Sequence, residues 1–99
     1  MPIFKLYTTK AKSSEEMDKL RMQFQEIYKK HNIDIVGFWI NAEAEDEFYY
    51  MSKYEDENDY HKKVELLKQD EEYKHLTEKV KNARTSFDSK TLIPKWTVF

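Results

Sequence analysis

The chain has no cysteine and only one glycine, and each shortage excludes a group of functions. Without cysteine it forms no disulfide and has no thiol nucleophile, which suits a reducing compartment, so we expect a cytoplasmic protein. The single glycine, Gly37, excludes a phosphate-cradling loop and a dinucleotide-binding fingerprint. No stretch approaches the roughly 18 apolar residues of a membrane span. We therefore expect one small domain over residues 1–99, with no membrane span.

The charge balance argues against a general nucleic-acid binder. The chain has 17 Lys and Arg residues and 19 Asp and Glu residues, which gives a formal net charge of −2. Nucleic-acid-binding domains usually show a basic excess or a basic stripe, whereas the lysines here are interleaved with acids in every predicted helix. Such mixing is typical of a solvated, ion-paired surface. We expect no nucleic-acid partner.

Aromatic residues are plentiful, and they concentrate in two short runs, Ile35–Ile40 and Phe48–Tyr54. Alternate side chains of a strand point to opposite faces, so strict alternation predicts Ile35 and Trp39 on the same face. The other large apolar residues of this run, Val36, Phe38 and Ile40, are then predicted on the opposite face. A sheet that is apolar on both faces needs a cover on each.

The first third of the chain predicts a strand followed by a helix. Pro2–Thr8 reads as a strand, with Phe4 and Leu6 on one face. Ser13 lies three residues before Glu16, which is the spacing of a capping box at a helix start. Apolar residues then recur at threes and fours up to Asn32, which predicts one amphipathic helix of about five turns.

A polar and acidic link, Asn41–Glu47, joins the two aromatic runs and has the length of a hairpin connection. After the second run, Asp56 or Asn58 can cap a short helix, because their side chains accept hydrogen bonds from free backbone N–H groups. Asp70 is placed to cap a second, longer helix. The sequence thus predicts a helix pair with a break at residues 69–70.

In the longer helix of this pair, which begins at Asp70, the near-helical spacing of apolar residues extends to Phe87. The last β-rich run, Thr91–Phe99, contains Trp96 and Val98 and predicts the final strand. Pro94 lies inside this run and cannot donate a ladder hydrogen bond. We therefore expect the final strand at a sheet edge, or bulged at the proline.

The predicted order is strand, helix, strand, strand, two helices and strand. This βαββααβ order predicts an α+β fold, a ferredoxin-like sandwich with an antiparallel four-stranded sheet and the helices on one face. The usual strand order of that fold places the last strand at an edge, which agrees with Pro94. The second sheet face still needs a cover. A second copy of the chain is the simplest one, so we expect a homodimer.

Several stretches resemble one family over most of the chain. Val36-Gly37-Phe38-Trp39 resembles a Val-Gly-aromatic-Trp run, and Tyr54-Glu55-Asp56 resembles a Tyr-Glu-Ser/Asp segment. The segment from Leu67 to Leu76 resembles an Asp-x-x-Trp motif with Tyr73 in the tryptophan position, and Tyr7 lies in a Tyr-containing first strand. Together these features resemble the NIPSNAP branch of the dimeric α/β-barrel superfamily. The link between the aromatic runs departs from the family pattern, because it lacks glycine.

The resemblance implies a homodimer whose two sheets face one another to form a barrel. It implies little about chemistry, since NIPSNAP proteins have no agreed enzymatic activity and shared fold is weak evidence for shared reaction. Our leading hypothesis is a small-ligand-binding or protein-interaction module without a cofactor. The alternative is a small cofactor-independent monooxygenase or a haem-degrading enzyme, as found elsewhere in the superfamily. Whether the protein is an enzyme stays open at this point.

Three residues are the candidate ligand-binding set: Tyr7, Trp39 and His61. Tyr7 and Trp39, with neighbouring tyrosines, could line a pocket for a flat aromatic ligand, although filling the core is the commoner role of such rings. His61 could act as a base or a haem ligand, although a histidine at a helix start is more often merely exposed. Glu71 and His75 have metal-binding spacing but no third ligand, so we assign no metal and no catalytic residue.

Overall fold

The computed structural model describes residues Pro2–Trp96 and has the predicted element order. The elements are β1 (Ile3–Ala11), α1 (Ser14–Lys30), β2 (Asp34–Asn41), β3 (Ala44–Tyr54), α2 (Glu57–Lys68), α3 (Glu71–Ala83) and β4 (Arg84–Leu92). The four strands form one antiparallel sheet in the order β2-β3-β1-β4. The predicted ferredoxin-like fold is therefore confirmed.

All three helices pack against the same face of the sheet, which we call the helix-covered face. Tyr7, Thr9 and Tyr50 point to this face, together with residues from each helix. The molecule is only 19 Å thick against 36 and 34 Å in its other dimensions, as expected for one sheet and one helix layer. The main core residues are Ile3, Met17, Leu20, Ile27, Ile33, Phe48, Tyr54, Leu67 and Leu76.

The opposite face, which we call the open face, carries no helix in the described part of the chain. Cross-strand partners share a face, so the register places Leu6 with Met51, and Trp39 with Tyr49, on this side. Leu6, Tyr49 and Met51 are partly buried, whereas 48% of Trp39 is exposed. The open face therefore presents apolar and aromatic side chains in the middle of the sheet.

The predicted starts of α1 and α2 and the predicted end of α1 are confirmed. Ser13 caps α1 by accepting a hydrogen bond from Glu16 N at 3.3 Å, and Asp56 caps α2 by accepting from Asp59 N at 2.8 Å. Asn32 follows α1 with φ of 57°, a left-handed conformation that asparagine tolerates better than most residues. These local signals fix where α1 and α2 begin and where the chain turns towards β2.

Asp70 caps α3 and also ties that helix to the end of α1. Its Oδ1 accepts from the backbone N–H groups of Glu72 and Tyr73 at 2.9 and 3.3 Å. Its Oδ2 lies 2.7 Å from both Lys30 Nζ and His31 Nε2, and the Asp70 side chain is only 6% exposed. These donors, Lys30 first and His31 second, hold the pKa of the Asp70 carboxyl well below its usual range. One carboxylate thus joins the two helices end to end.

The predicted C-terminal boundaries are wrong. α3 ends at Ala83, and Phe87 lies in β4, which runs over Arg84–Leu92 rather than Thr91–Phe99. Phe87 follows Val80 by seven residues, a spacing that fits two helical turns, but pairing of β4 with β1 decides the structure. β4 does lie at a sheet edge, although Pro94 follows the strand instead of interrupting it. Val98, part of the predicted strand, lies outside the described residues.

Two further boundaries differ from the sequence prediction. β1 extends to Ala11 because its polar end pairs with strands on both sides, and Thr9 lies opposite both Phe48 and Phe87. The link between β2 and β3 is a two-residue turn instead of the longer Asn41–Glu47 connection. In that turn the Asn41 side chain accepts a hydrogen bond from Glu43 N at 2.9 Å. Polar composition alone did not distinguish strand ends from loops.

A β-bulge overturns the predicted faces of β2. The register shifts between Ile35 and Gly37, so strict alternation fails at Val36. Ile35 and Phe38 therefore both line the helix-covered face, whereas Trp39 lies on the open face opposite Tyr49. The prediction that Ile35 and Trp39 share a face is wrong for this reason.

The indole of Trp39 lies directly against Gly37. A Cβ atom at position 37 would lie 2.6 Å from Trp39 Cζ2, so Gly37→Ala must displace the ring. Because the ring is half exposed, it can move, and we expect a shift in tryptophan emission with only a small loss of stability. The measurement uses a Trp96→Phe background, which leaves Trp39 as the sole fluorophore of the two tryptophans. Unchanged emission and quenching would show that Trp39 does not pack on Gly37.

Among residues 2–96, none of the helices combines the length and the apolar character that crossing a bilayer requires.

Candidate ligand-binding cavity

A cavity of about 430 Å³ lies between the helices and the helix-covered face of the sheet. Every helix and every strand contributes to its wall. The lining includes Phe87, 43% exposed, so the cavity can be reached from solvent near β4. The aromatic lining residues are Tyr7, Phe24, Tyr28, Phe38, Tyr50, Tyr54, Tyr60, Tyr73 and Phe87.

Four of these rings form a row across the sheet, which we call the aromatic row: Phe87, Tyr7, Tyr50 and Phe38. Tyr7 and Tyr50, which lie opposite each other on β1 and β3, are stacked with ring centroids 4.6 Å apart. Phe87 stacks on the other side of Tyr7 at 5.9 Å, and Phe38 stacks beside Tyr50 at 5.8 Å. The interplanar angles are 12–26°, so the four rings are nearly parallel.

The tyrosine hydroxyls around the cavity are neutral hydrogen-bonding groups. Burial raises the pKa of Tyr7, Tyr28 and Tyr50 well above the usual value for a phenol. Burial also raises the pKa of Tyr73. A neutral phenol donates and accepts hydrogen bonds, but the phenolate, which is the form that could act as a base, is disfavoured in an apolar site.

Two threonines add hydroxyl groups to the wall. Thr9 is 2% exposed and donates from Oγ1 to the Ser86 carbonyl at 3.1 Å. The buried Thr77 Oγ1 makes no hydrogen bond of normal geometry within residues 2–96. A ligand with a donor or an acceptor near Thr77 could satisfy that hydroxyl.

The charged residues that line the cavity are all cationic: Arg21, Lys68 and Arg84. No carboxylate and no imidazole lines it in the described part of the chain, although the sequence has 19 acidic residues. Arg21 is engaged by Asp18 at 2.8 Å, and Lys68 by Glu65 at 3.4 Å. Within residues 2–96, Arg84 makes no ion pair.

The structure separates the three residues that the sequence selected as ligand-binding. Tyr7 lies in the aromatic row and lines the cavity. Trp39 lies on the open face, behind the sheet, and does not line the cavity. The His61 side chain is 69% exposed, and its Nε2 lies 3.5 Å from Glu57 Oε2. The geometry therefore brings only Tyr7 to the cavity.

The possible metal pair, Glu71 and His75, gains no third ligand. In residues 2–96, no three His, Cys, Asp or Glu side chains come close enough to hold a metal ion. Glu71 instead pairs with Lys74 at 3.2 Å on the exposed side of α3.

Sequence reasoning missed Arg84 and Phe87 as site residues. It extended α3 to Phe87, which would have placed both on a helix rather than on the strand beside Tyr7. Within residues 84–92 only Thr85, Phe87 and Thr91 are residue types that favour strands, which is too weak a signal to place the strand. The helical spacing of apolar residues did identify Phe24 and Tyr73 as residues of buried helix faces. Their rings make a T-shaped contact with centroids 5.8 Å apart, which closes the cavity between α1 and α3.

Comparisons with known proteins agree with this architecture. A family model described as NIPSNAP matches residues 3–97. A NIPSNAP family protein from Agrobacterium tumefaciens superposes with a TM-score of 0.83 at 14% identity, over 96% of this chain and 94% of that one. A NIPSNAP-like domain protein from Burkholderia xenovorans gives a TM-score of 0.83 at 14% identity, over 94% of this chain and 84% of that one.

A more distant structure comes from an oxygenase. A mutant of SnoaB, a cofactor-independent oxygenase from Streptomyces nogalater, superposes with a TM-score of 0.76 at 7% identity, over 98% of this chain and 95% of that one. No curated protein matches the sequence. At these identities the structural likeness concerns the fold.

Proposed function

The chain belongs to the NIPSNAP family, and from its cavity we propose that it binds a small planar aromatic molecule on the helix-covered face of the sheet. The observation that carries this proposal is the aromatic row along an accessible cavity of about 430 Å³. Protein interiors contain few voids larger than a water molecule, whereas ligand pockets typically have volumes of about 300–1,000 Å³. Rings that only filled a core would leave no such space.

Replacing Tyr7 tests this function. Tyr7→Leu removes one ring from the middle of the aromatic row but keeps an apolar side chain. Because a contact between aromatic rings contributes about 0.5–1.5 kcal/mol beyond burial, we expect affinity to fall by roughly twofold to tenfold. The probe is the neutral molecule 2-naphthamide, with binding measured by calorimetry.

The matched control is Tyr49→Leu, the same exchange on the open face. It should leave the affinity for 2-naphthamide unchanged. If the wild-type protein binds neither 2-naphthamide nor any other planar aromatic molecule of this size, the proposed function is wrong.

The oxygenase alternative has less support from this site. A cofactor-independent oxygenase needs a group that takes a proton from its substrate. In the described residues the lining has no carboxylate or imidazole, and its buried phenols have raised pKa values. We expect oxygen consumption with a hydroquinone substrate to stay at the rate without protein. Saturable oxygen uptake would establish the enzyme instead.

We also propose that the protein is a homodimer in which the open faces of two sheets meet. Leu6, Tyr49, Met51 and Trp39 present apolar surface there, and closed twofold dimers are the commonest assembly of soluble proteins. The interaction partner of the proposed module is thus a second copy of the chain. A cytoplasmic location and the absence of a nucleic-acid partner are proposed on composition alone.

A further inference from the structure

We propose that the cavity selects an aromatic carboxylic acid, whose carboxylate pairs with Arg84 while its ring lies along the aromatic row. This inference rests on the proposed aromatic ligand and adds its charge and orientation. It is carried by the position of Arg84 beside the row and by the absence of an ion-pair partner for Arg84 among residues 2–96.

Arg84 stands at one end of the aromatic row. Its guanidinium carbon lies 4.3 Å from the ring centroid of Phe87, which is the terminal ring of the row. Arg84 lines the same cavity as Tyr50 and Tyr73. A ligand that pairs with Arg84 would therefore extend its ring towards Tyr7.

The charges around the cavity favour an anion. All charged lining residues in the described chain are cationic, and Arg21 and Lys68 already have carboxylate partners. Arg84 is partly buried, so its charge is less screened by solvent than that of a surface lysine. An anionic group at this position would meet one available cation and no competing carboxylate from the lining.

The geometry of a single guanidinium favours a carboxylate. Two parallel N–H groups of arginine match the two oxygens of a carboxylate, and the pair carries no net charge. A phosphate dianion would leave one negative charge uncompensated in a largely apolar cavity, which is costly. The chemistry therefore fits an aromatic monocarboxylate better than a phosphate ester.

The experiment compares 2-naphthoate with 2-naphthamide, which have the same ring system and differ in charge. At pH 7 the carboxylic acid is ionised, and a charge-assisted hydrogen bond is worth about 1.5–3 kcal/mol. We expect the wild-type protein to bind 2-naphthoate about tenfold to a hundredfold more tightly than 2-naphthamide. Arg84→Gln should remove this preference, so that the two probes bind the variant with similar affinity.

Two further variants complete the test. Lys79→Gln removes one positive charge from an exposed position of α3 that does not line the cavity, and it should keep the preference for the acid. Arg84→Lys keeps the charge but loses the two-pronged geometry, and it should give an intermediate preference. If Arg84→Gln does not fold, comparing the two probes on the wild-type protein and on Arg84→Lys still decides whether Arg84 causes the preference for the acid.

The outcomes separate this inference from the proposed function. Equal affinity of the wild-type protein for the two probes overturns the pairing with Arg84 and leaves the aromatic pocket standing. An acid preference that survives Arg84→Gln also overturns it. Failure of both probes to bind contradicts the pocket itself.

Discussion

Replacing Leu6 with glutamate is expected to convert the protein from a dimer of about 24 kDa, twice the chain mass of 12.1 kDa, into a monomer. Leu6 lies on the open face of β1, a central strand, opposite Met51 and Lys90. In a monomer the introduced carboxylate is solvated and lies near a lysine. In a face-to-face dimer it would be buried near the middle of the interface, where removing a charge from water costs several kcal/mol.

Analytical ultracentrifugation at micromolar concentration measures this change. Met22→Glu is the matched control, because Met22 is an exposed apolar residue of α1 and should not lie in the interface. We expect the wild-type protein and this control to sediment as dimers, with an interface above roughly 1,000 Å². A wild-type monomer, or a Leu6→Glu dimer, would contradict the proposed face-to-face assembly.

Removing the carboxylate of Asp70 is expected to destabilise the fold more than removing any other helix cap. Asp70→Ala loses both backbone acceptor contacts at the start of α3 and both side-chain contacts with Lys30 and His31. Ser13→Ala is the matched control, because Ser13 caps α1 through a single exposed hydrogen bond to Glu16 N. Thermal unfolding should show a markedly larger decrease in Tm for Asp70→Ala than for Ser13→Ala. Equal decreases would mean that the link between α1 and α3 adds nothing to capping.

The pH dependence of the same site provides a second measurement. Folding lowers the pKa of Asp70, so its stabilising effect is complete above the pKa of an unfolded aspartate, about 3.9, and is lost as pH falls through and below that value. Asp70→Asn keeps an oxygen for capping but cannot ionise. The stability difference between wild type and Asp70→Asn should therefore shrink between about pH 5 and pH 2. A difference that stays constant over this range would exclude the charge as its source.

The sequence predicted the elements of this fold better than their ends. Local signals are strong where a single side chain caps a helix, as Ser13, Asp56 and Asp70 do at the three helix starts. The boundary between α3 and β4 depends instead on pairing with β1, a contact between residues about 80 positions apart. No pattern within residues 84–92 contains that information.

The lining of the candidate cavity was predicted only in part, for a related reason. Tyr7 was selected as an aromatic residue of β1, and it does line the cavity. Trp39 was expected beside it, but the bulge at Val36 turns Trp39 to the other face, and a bulge leaves little trace in composition. Arg84 was not considered, because its role depends on which strand lies beside Tyr7.

The bulge in β2 has a consequence for how the sheet can grow. β2 and β4 are the edge strands of the described sheet. The free backbone N–H and C=O groups of an unbroken edge strand can pair side by side with a strand of another molecule, which leads to aggregation. The irregular ladder at Val36 interrupts one edge, and β4 presents the charged residues Asp88 and Lys90 along the other. Both features oppose lateral polymerisation, which would leave the apolar open face for the second copy of the chain proposed above.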